Sequence, residues 1–117
     1  GSKIPDYNTP MTLLQKKTYQ LLKTVPRGRV TTYKALAAAL HTKAYRAIGQ
    51  YMKNNPYAPT VPCHRVVASN GTIGGFMGAT SGSKIAKKIR MLRSEGVKIS
   101  KNRIADFPTL LFPFQAM

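Results

Sequence analysis

Residues 31–53 read TTYKALAAALHTKAYRAIGQYMK, and the architecture turns on how this stretch is divided. Val30, Thr31 and Thr32 are β-branched and favour a short extended piece. Thr32 then stands where its hydroxyl can cap a short, alanine-rich helix with Leu36 and Leu40 inward. After His41, Thr42 is placed to cap a further helix. In that helix Ala44, Ile48, Tyr51 and Met52 share one face, while Lys43, Arg46, Gln50 and Lys53 share the other. Two short helices a few residues apart, the second with an apolar face and a basic edge, form a helix-turn-helix arrangement. Ala47 and Gly49 beside Arg46 leave little side-chain bulk to hold a duplex away.

Residues 1–10 hold Pro5 and Pro10 without periodicity and read as an extended arm, Gly1-Ser2 being a cloning remnant. Residues 11–117 are expected to form a single domain. Leu14, Thr18, Leu21, Leu22 and Val25 make one helical stripe of about four turns, stopped by Pro26 and Gly28. Residues 54–62 carry three prolines and cannot be helix. Arg65 to Ser69 suits a short strand, Asn70-Gly71 a turn, and Gly74 to Gly78 a glycine-rich loop. A last helix is expected over 83–94, with Ile85, Ile89 and Leu92 inward and Gly96 ending it. Val97 to Ile99 and Arg103 to Ala105 flank Lys101-Asn102 in a hairpin, and Phe107, Leu110, Leu111, Phe112 and Phe114 form an apolar tail.

The 117 residues are 43% hydrophobic, and nineteen Lys and Arg stand against three acids for a formal charge of +16. A chain this long buries roughly two-thirds of its unfolded surface, enough for a core without staples. Asp6, Glu95 and Asp106 are too few to neutralise the cations internally, and an excess of this size points to a polyanion, with nucleic acid first. The competing reading is a basic surface that serves solubility. No run of eighteen or more apolar residues occurs. An intracellular location without a membrane partner is therefore expected, in the cytoplasm or nucleoid of a prokaryote or the nucleus of a eukaryote.

Cys63 is the single cysteine, so there is no internal disulfide, and with only His41 and His64 beside it no zinc site of the Cys and His type can be assembled. Pro62-Cys63-His64-Arg65 lies where a proline-rigid loop meets an apolar strand, and a thiol beside imidazole and guanidinium is in a setting that favours thiolate. The alternative is a buried cysteine acting as a small hydrophobe. Adjacent side chains on a regular strand point to opposite faces, so Cys63 and His64 can cooperate only if the chain turns there. Of the three acids Glu95 is best placed to orient His64; it could equally be a surface residue ending the last helix, on nearly the same edge as Lys88.

Pro62-Cys63-His64-Arg65-Val66-Val67, preceded by Asn55-Pro56 and the helices carrying Tyr33 and Arg46 and followed by Gly74-Gly75-Phe76, closely resembles the O6-alkylguanine-DNA alkyltransferases, or methylated-DNA–protein-cysteine methyltransferases. The resemblance covers about residues 11–99. It implies that Cys63 takes the alkyl group from guanine O6 irreversibly, once per molecule and without cofactor. It further implies that His64 acts through a water as the base, that Glu95 orients His64, and that Asn55 braces the loop. Tyr33 corresponds to the tyrosine that protonates guanine N3, and Arg46 to the arginine that fills the stack behind a flipped nucleotide. Gly75, Phe76 and Met77 correspond to the loop roofing the base, and Lys88 to a lysine near the pocket. The recognition helix of such proteins enters the minor groove, where small Ala47 and Gly49 permit close approach, with Lys43 and Lys53 among the phosphate-facing cations. Met77 stands where the family often has a hydroxyl residue, the segment from Gly78 to the last helix is longer than usual, and the family's N-terminal ribonuclease-H-like domain has no counterpart here.

The expected fold is thus a mainly helical, winged-helix-like domain with a helix-turn-helix and short β-strands around the active-site loop. The expected partner is double-stranded DNA containing O6-alkylguanine, bound by a monomer. Three rivals remain at this point. An alkyltransferase-like lesion binder lacks the cysteine that is present here. A plain helix-turn-helix regulator leaves the Cys-His centre unexplained, and a cysteine hydrolase leaves the charge unexplained.

Overall fold

The computed structural model describes residues 11–114; the expected arm over residues 1–10, Asp6 included, lies outside them. Helix α1 spans Leu13–Leu22, with the Thr12 hydroxyl accepting a 3.0 Å hydrogen bond from the Gln15 amide. It is ten residues long and so shorter than the expected four turns, because the chain tightens at once through Thr24 N to Leu21 O and Val25 N to Leu22 O. Thr18, Leu22 and Val25 are buried as the stripe implied, Leu14 and Leu21 are half-buried, and Tyr19 supplies the remaining buried contact.

Strand β1 (Thr31–Thr32) runs directly into α2 (Tyr33–Ala39), whose first turn is capped by the Thr32 hydroxyl at 3.0 Å from the Ala35 amide. Helix α3 covers Tyr45–Lys53 and buries Ile48 and Met52. Thr42 does not cap it. Its hydroxyl bonds the amide of Ala44, two residues on, and so closes a turn ahead of the helix instead. Lys43 consequently lies before α3 rather than on it.

Strand β1 pairs in parallel with β2 (Val66–Val67), Thr31 opposite Val66 and Thr32 opposite Val67. The strand expected over residues 65–69 is thus cut to two residues, since Arg65 belongs to a 3-10 turn over Cys63–Arg65 and the Ala68 amide already bonds back to Thr72 O. The turn at Asn70-Gly71 requires glycine: Gly71 has φ +86°, and a Cβ there would lie 3.1 Å from the Phe107 ring.

Helix α4 occupies Ser83–Ser94, the expected bounds. Gly96, at φ +93°, lets its own amide and that of Val97 return to Arg93 O and Leu92 O, the two bonds of a Schellman termination. Strands β3 (Ile99–Ser100) and β4 (Arg103–Ile104) form the expected hairpin, turned by Lys101 and Asn102, both at positive φ. The tail adds an unanticipated short helix α5 (Phe107–Leu110). Val30 N bonds Leu110 O and Phe112 N bonds Val30 O, which ties the tail beside β1. Leu22, Val25, Leu36, Ile48, Val66, Val67, Ile73 and Leu92 are fully buried in one core joining α1 to α3 with β2 and α4. The described domain is mainly helical, with five α-helices and four short strands.

Candidate active site

Pro62 leads into the 3-10 turn, which is closed by Arg65 N to Pro62 O at 2.9 Å, so three consecutive side chains diverge instead of alternating across a strand. Cys63 and His64 are both buried, at 5% and 2% exposure. His64 Nε2 lies 2.9 Å from Glu95 Oε2, so the residue that ends α4 is also the carboxylate bonded to the imidazole. Arg65 does not face the thiol as expected. Its Nε and Nη2 donate to the two Glu95 oxygens at 2.9 and 2.8 Å, and its Nη1 donates to Val25 O at 2.8 Å.

The setting does not make Cys63 a resting thiolate. Burial pushes its thiol up, and this outweighs a hydrogen bond from Asn55 and the Lys88 charge, which pull it down. Burial likewise lowers His64 below its ordinary value against the pull of Glu95, so the imidazole is neutral near neutrality. Glu95 is held below the usual carboxylate range: burial opposes this, but bonds from Arg65 and His64 win. With Nε2–H directed at Glu95, Nδ1 carries the lone pair, and that buried atom has no hydrogen-bond partner among the described residues.

Asn55 is buried and donates through Nδ2 to Val61 O at 2.8 Å, while its Oδ1 accepts from Tyr57 N, so it braces the proline loop leading to Cys63. Tyr33, the first residue of α2, is half-buried; burial and then the nearby Cys63 raise its phenol above the ordinary value. Lys88, on the inward face of α4, is fully buried and gives Nζ hydrogen bonds to Val66 O, Ile73 O and Gly75 O at 2.7, 2.6 and 2.9 Å. Burial draws it down to about 7, yet three carbonyls around one nitrogen accommodate only the ammonium, which has three N–H and no lone pair. Lys88, expected as a lysine near the pocket, thus tethers the loop that carries Gly75.

That loop is closed by reciprocal backbone bonds between Phe76 and Ala79, with Phe76 buried and Met77 at φ +50°. Two contacts that the sequence had not signalled hold it: Lys84 Nζ reaches Met77 O at 3.3 Å, and the Lys53 stem lies over Gly78, where a Cβ would stand 3.0 Å from Lys53 Cε. Arg46, Gln50 and Lys53 are exposed along the α3 edge, Lys43 is exposed just ahead of it, and space beyond Gly49 is open.

Residues 13–97 match the family described as 6-O-methylguanine DNA methyltransferase, DNA binding domain. A methylated-DNA–protein-cysteine methyltransferase of Thermococcus kodakarensis is 49% identical over 89 residues, 75% of this chain and 47% of that protein. The crystal structure of the O6-methylguanine-DNA methyltransferase from Pyrococcus kodakaraensis strain KOD1 superposes with a TM-score of 0.63 at 48% identity, over 74% of this chain and 48% of that one. S. pombe Atl1, in complex with damaged DNA containing O6-carboxymethylguanine, superposes with a TM-score of 0.75 at 27% identity, over 89% of this chain and 98% of that one. The chain spans less than half the length of the curated relatives it matches. By its sequence and its fold, the chain belongs to the family of the 6-O-methylguanine DNA methyltransferase DNA-binding domain.

Proposed function

We propose that residues 11–117 act as one monomeric unit that repairs O6-alkylguanine in duplex DNA by transferring the alkyl group to Cys63, each molecule serving once. The observation that carries this reading is a buried thiol next to a neutral histidine whose other nitrogen is fixed by a carboxylate. The α3 edge approaches the minor groove with Ala47 and Gly49, Lys53 on α3 and Lys43 just ahead of it face phosphates, and Arg46 fills the stack left by the flipped guanine. Gly75, Phe76 and Met77 roof the base, with Lys88 fixing that roof from below. Flipping costs a few kcal/mol, less at a damaged pair.

His64 Nδ1 takes the Cys63 proton through a water as substrate arrives. The thiolate attacks the alkyl carbon, the S–C bond forms, and the O6–C bond breaks with its electron pair left on guanine. Tyr33 supplies a proton at N3. Because burial raises the free thiol, deprotonation is coupled to the bound substrate rather than completed in advance.

Incubation with a duplex oligonucleotide carrying labelled O6-methylguanine, followed by mass spectrometry of the Cys63 peptide, tests this: one added methyl per chain is expected. The likeness to S. pombe Atl1, held in complex with damaged DNA, over 98% of that chain supports recognition of the lesion; a second reading, recognition without transfer, has Cys63 against it. Tight lesion binding with an unmodified Cys63 would establish that reading instead.

A further inference from the structure

We propose that Arg65 is a positioning residue of this transfer, holding Glu95 so that His64 stays neutral and presents a free Nδ1 lone pair; the reaction it serves is the repair reading above. Glu95 Oε2 is shared, accepting from His64 Nε2 at 2.9 Å and from Arg65 Nη2 at 2.8 Å, while Arg65 Nε takes Oε1 at 2.9 Å. A two-pronged guanidinium fixes the plane of a carboxylate as well as its place. The third prong, on Val25 O, anchors Arg65 to the turn after α1, so the α4 end and the chain beyond α1 are both held by one guanidinium from the Cys63 turn.

The charge balance decides what this does. A buried carboxylate facing His64 alone would draw a proton onto the imidazole and form a histidinium–carboxylate pair, and a histidinium has no lone pair with which to accept the Cys63 proton. With the guanidinium bonded to both oxygens, the carboxylate charge is already balanced. Glu95 still accepts Nε2–H and so selects the tautomer with Nδ1 bare. The charged groups acting on His64 are Glu95 and Lys88 from α4 and Arg65 from its own turn, with the Cys63 thiol adjacent in sequence; the α1 end contributes only a carbonyl, to Arg65. Burial lowers His64 most, Glu95 raises it, and Arg65 and then Lys88 lower it further. Without Arg65 the balance shifts toward a protonated, unusable base.

The test follows the His64 ring by NMR through a pH titration of the full chain, in wild type, Arg65→Gln and Arg65→Lys, alongside single-turnover methyl transfer as a function of pH. Arg65→Gln is expected to raise the His64 midpoint by about one pH unit or more and to move the acid limb of the transfer profile up with it. Arg65→Lys keeps the charge but loses the fork, so it should restore the midpoint and recover only part of the rate. An unmoved midpoint and acid limb in Arg65→Gln overturn the inference even if that variant is less stable, because lost packing alone does not change which groups face the ring. If Arg65→Gln does not fold, an undiminished rate in Arg65→Lys overturns it instead. The titration needs no substrate, so a wild type that transfers nothing refutes the repair reading while the midpoint still decides what Arg65 does to His64.

Discussion

Lys88 Nζ donates a 2.9 Å hydrogen bond to the carbonyl of Gly75, so a fully buried ammonium on α4 carries the glycine loop proposed to roof the substrate. Lys88→Met leaves the carbonyls of Val66, Ile73 and Gly75 without this donor. Orphaned buried acceptors cost roughly 1–3 kcal/mol. Urea unfolding is expected to show a loss of that order, and methyl transfer is expected to fall more than duplex binding. An unchanged midpoint in urea contradicts the tether.

Cys63→Ser is expected to abolish transfer and leave DNA affinity near wild type, because a serine hydroxyl fills similar space but lacks an accessible anionic form. Label transfer by this variant removes Cys63 from the role of acceptor. His64→Ala and Glu95→Ala are expected to slow single-turnover transfer by factors on the order of tens to thousands, the range for loss of general-base help.

Arg46→Ala is expected to impair repair of duplex more than repair of single strands, since only a duplex has a stack to refill. Equal losses on both identify Arg46 as a phosphate contact. Binding by the wild type should weaken by orders of magnitude as salt rises, as counterion release requires when several cations face phosphates. A salt-independent affinity contradicts the electrostatic interface.

Acid should destabilise the fold in two steps. His64 is held below its ordinary value of about 6.5, so between that pH and its folded value the unfolded chain binds a proton that the native chain refuses. The stabilisation by the neutral ring is therefore present above about pH 6.5 and is lost as pH falls through the folded value. Glu95, held below the ordinary range near 4.3, adds a second loss of the same sign at lower pH. Chemical denaturation from pH 8 to 2.5 checks this, and His64→Gln should remove the first step while a second loss, tied to the Glu95–Arg65 pair, remains at lower pH.

Methylation of Cys63 should destabilise the protein. The thiol is 5% exposed and sits among the Val61-Pro62 end of the proline loop, Asn55 and the Lys88 side chain, so an added methyl has little room. Overpacking such a site costs about 1–3 kcal/mol, a visible share of a total of about 5–15 kcal/mol. The thermal midpoint is expected to drop after stoichiometric methylation, with Cys63→Ser as the control; a midpoint that holds argues against a tight pocket.

Local signals determined much of this protein from its sequence alone. The Thr32 cap, the bounds of α4 with Gly96 behind it, the Lys101-Asn102 hairpin and the turn imposed after Pro62 each follow from backbone preferences within a few residues, and the structure carries all of them. The basic edge of α3 was equally legible, because helical periodicity needs only neighbours. What only the tertiary structure decided involves groups far apart in the chain or the loss of water around them. Glu95 could be named as a partner for His64 across thirty-one positions, but that Arg65 shares it, and so faces away from Cys63, depends on how α4 ends against the 3-10 turn. A lysine within an amphipathic helix reads as outward; Lys88 points inward because carbonyls from β2 and the glycine loop converge on its nitrogen. Whether Cys63 rests as thiol or thiolate is a question of desolvation against nearby charge, and neither quantity exists until the chain has packed.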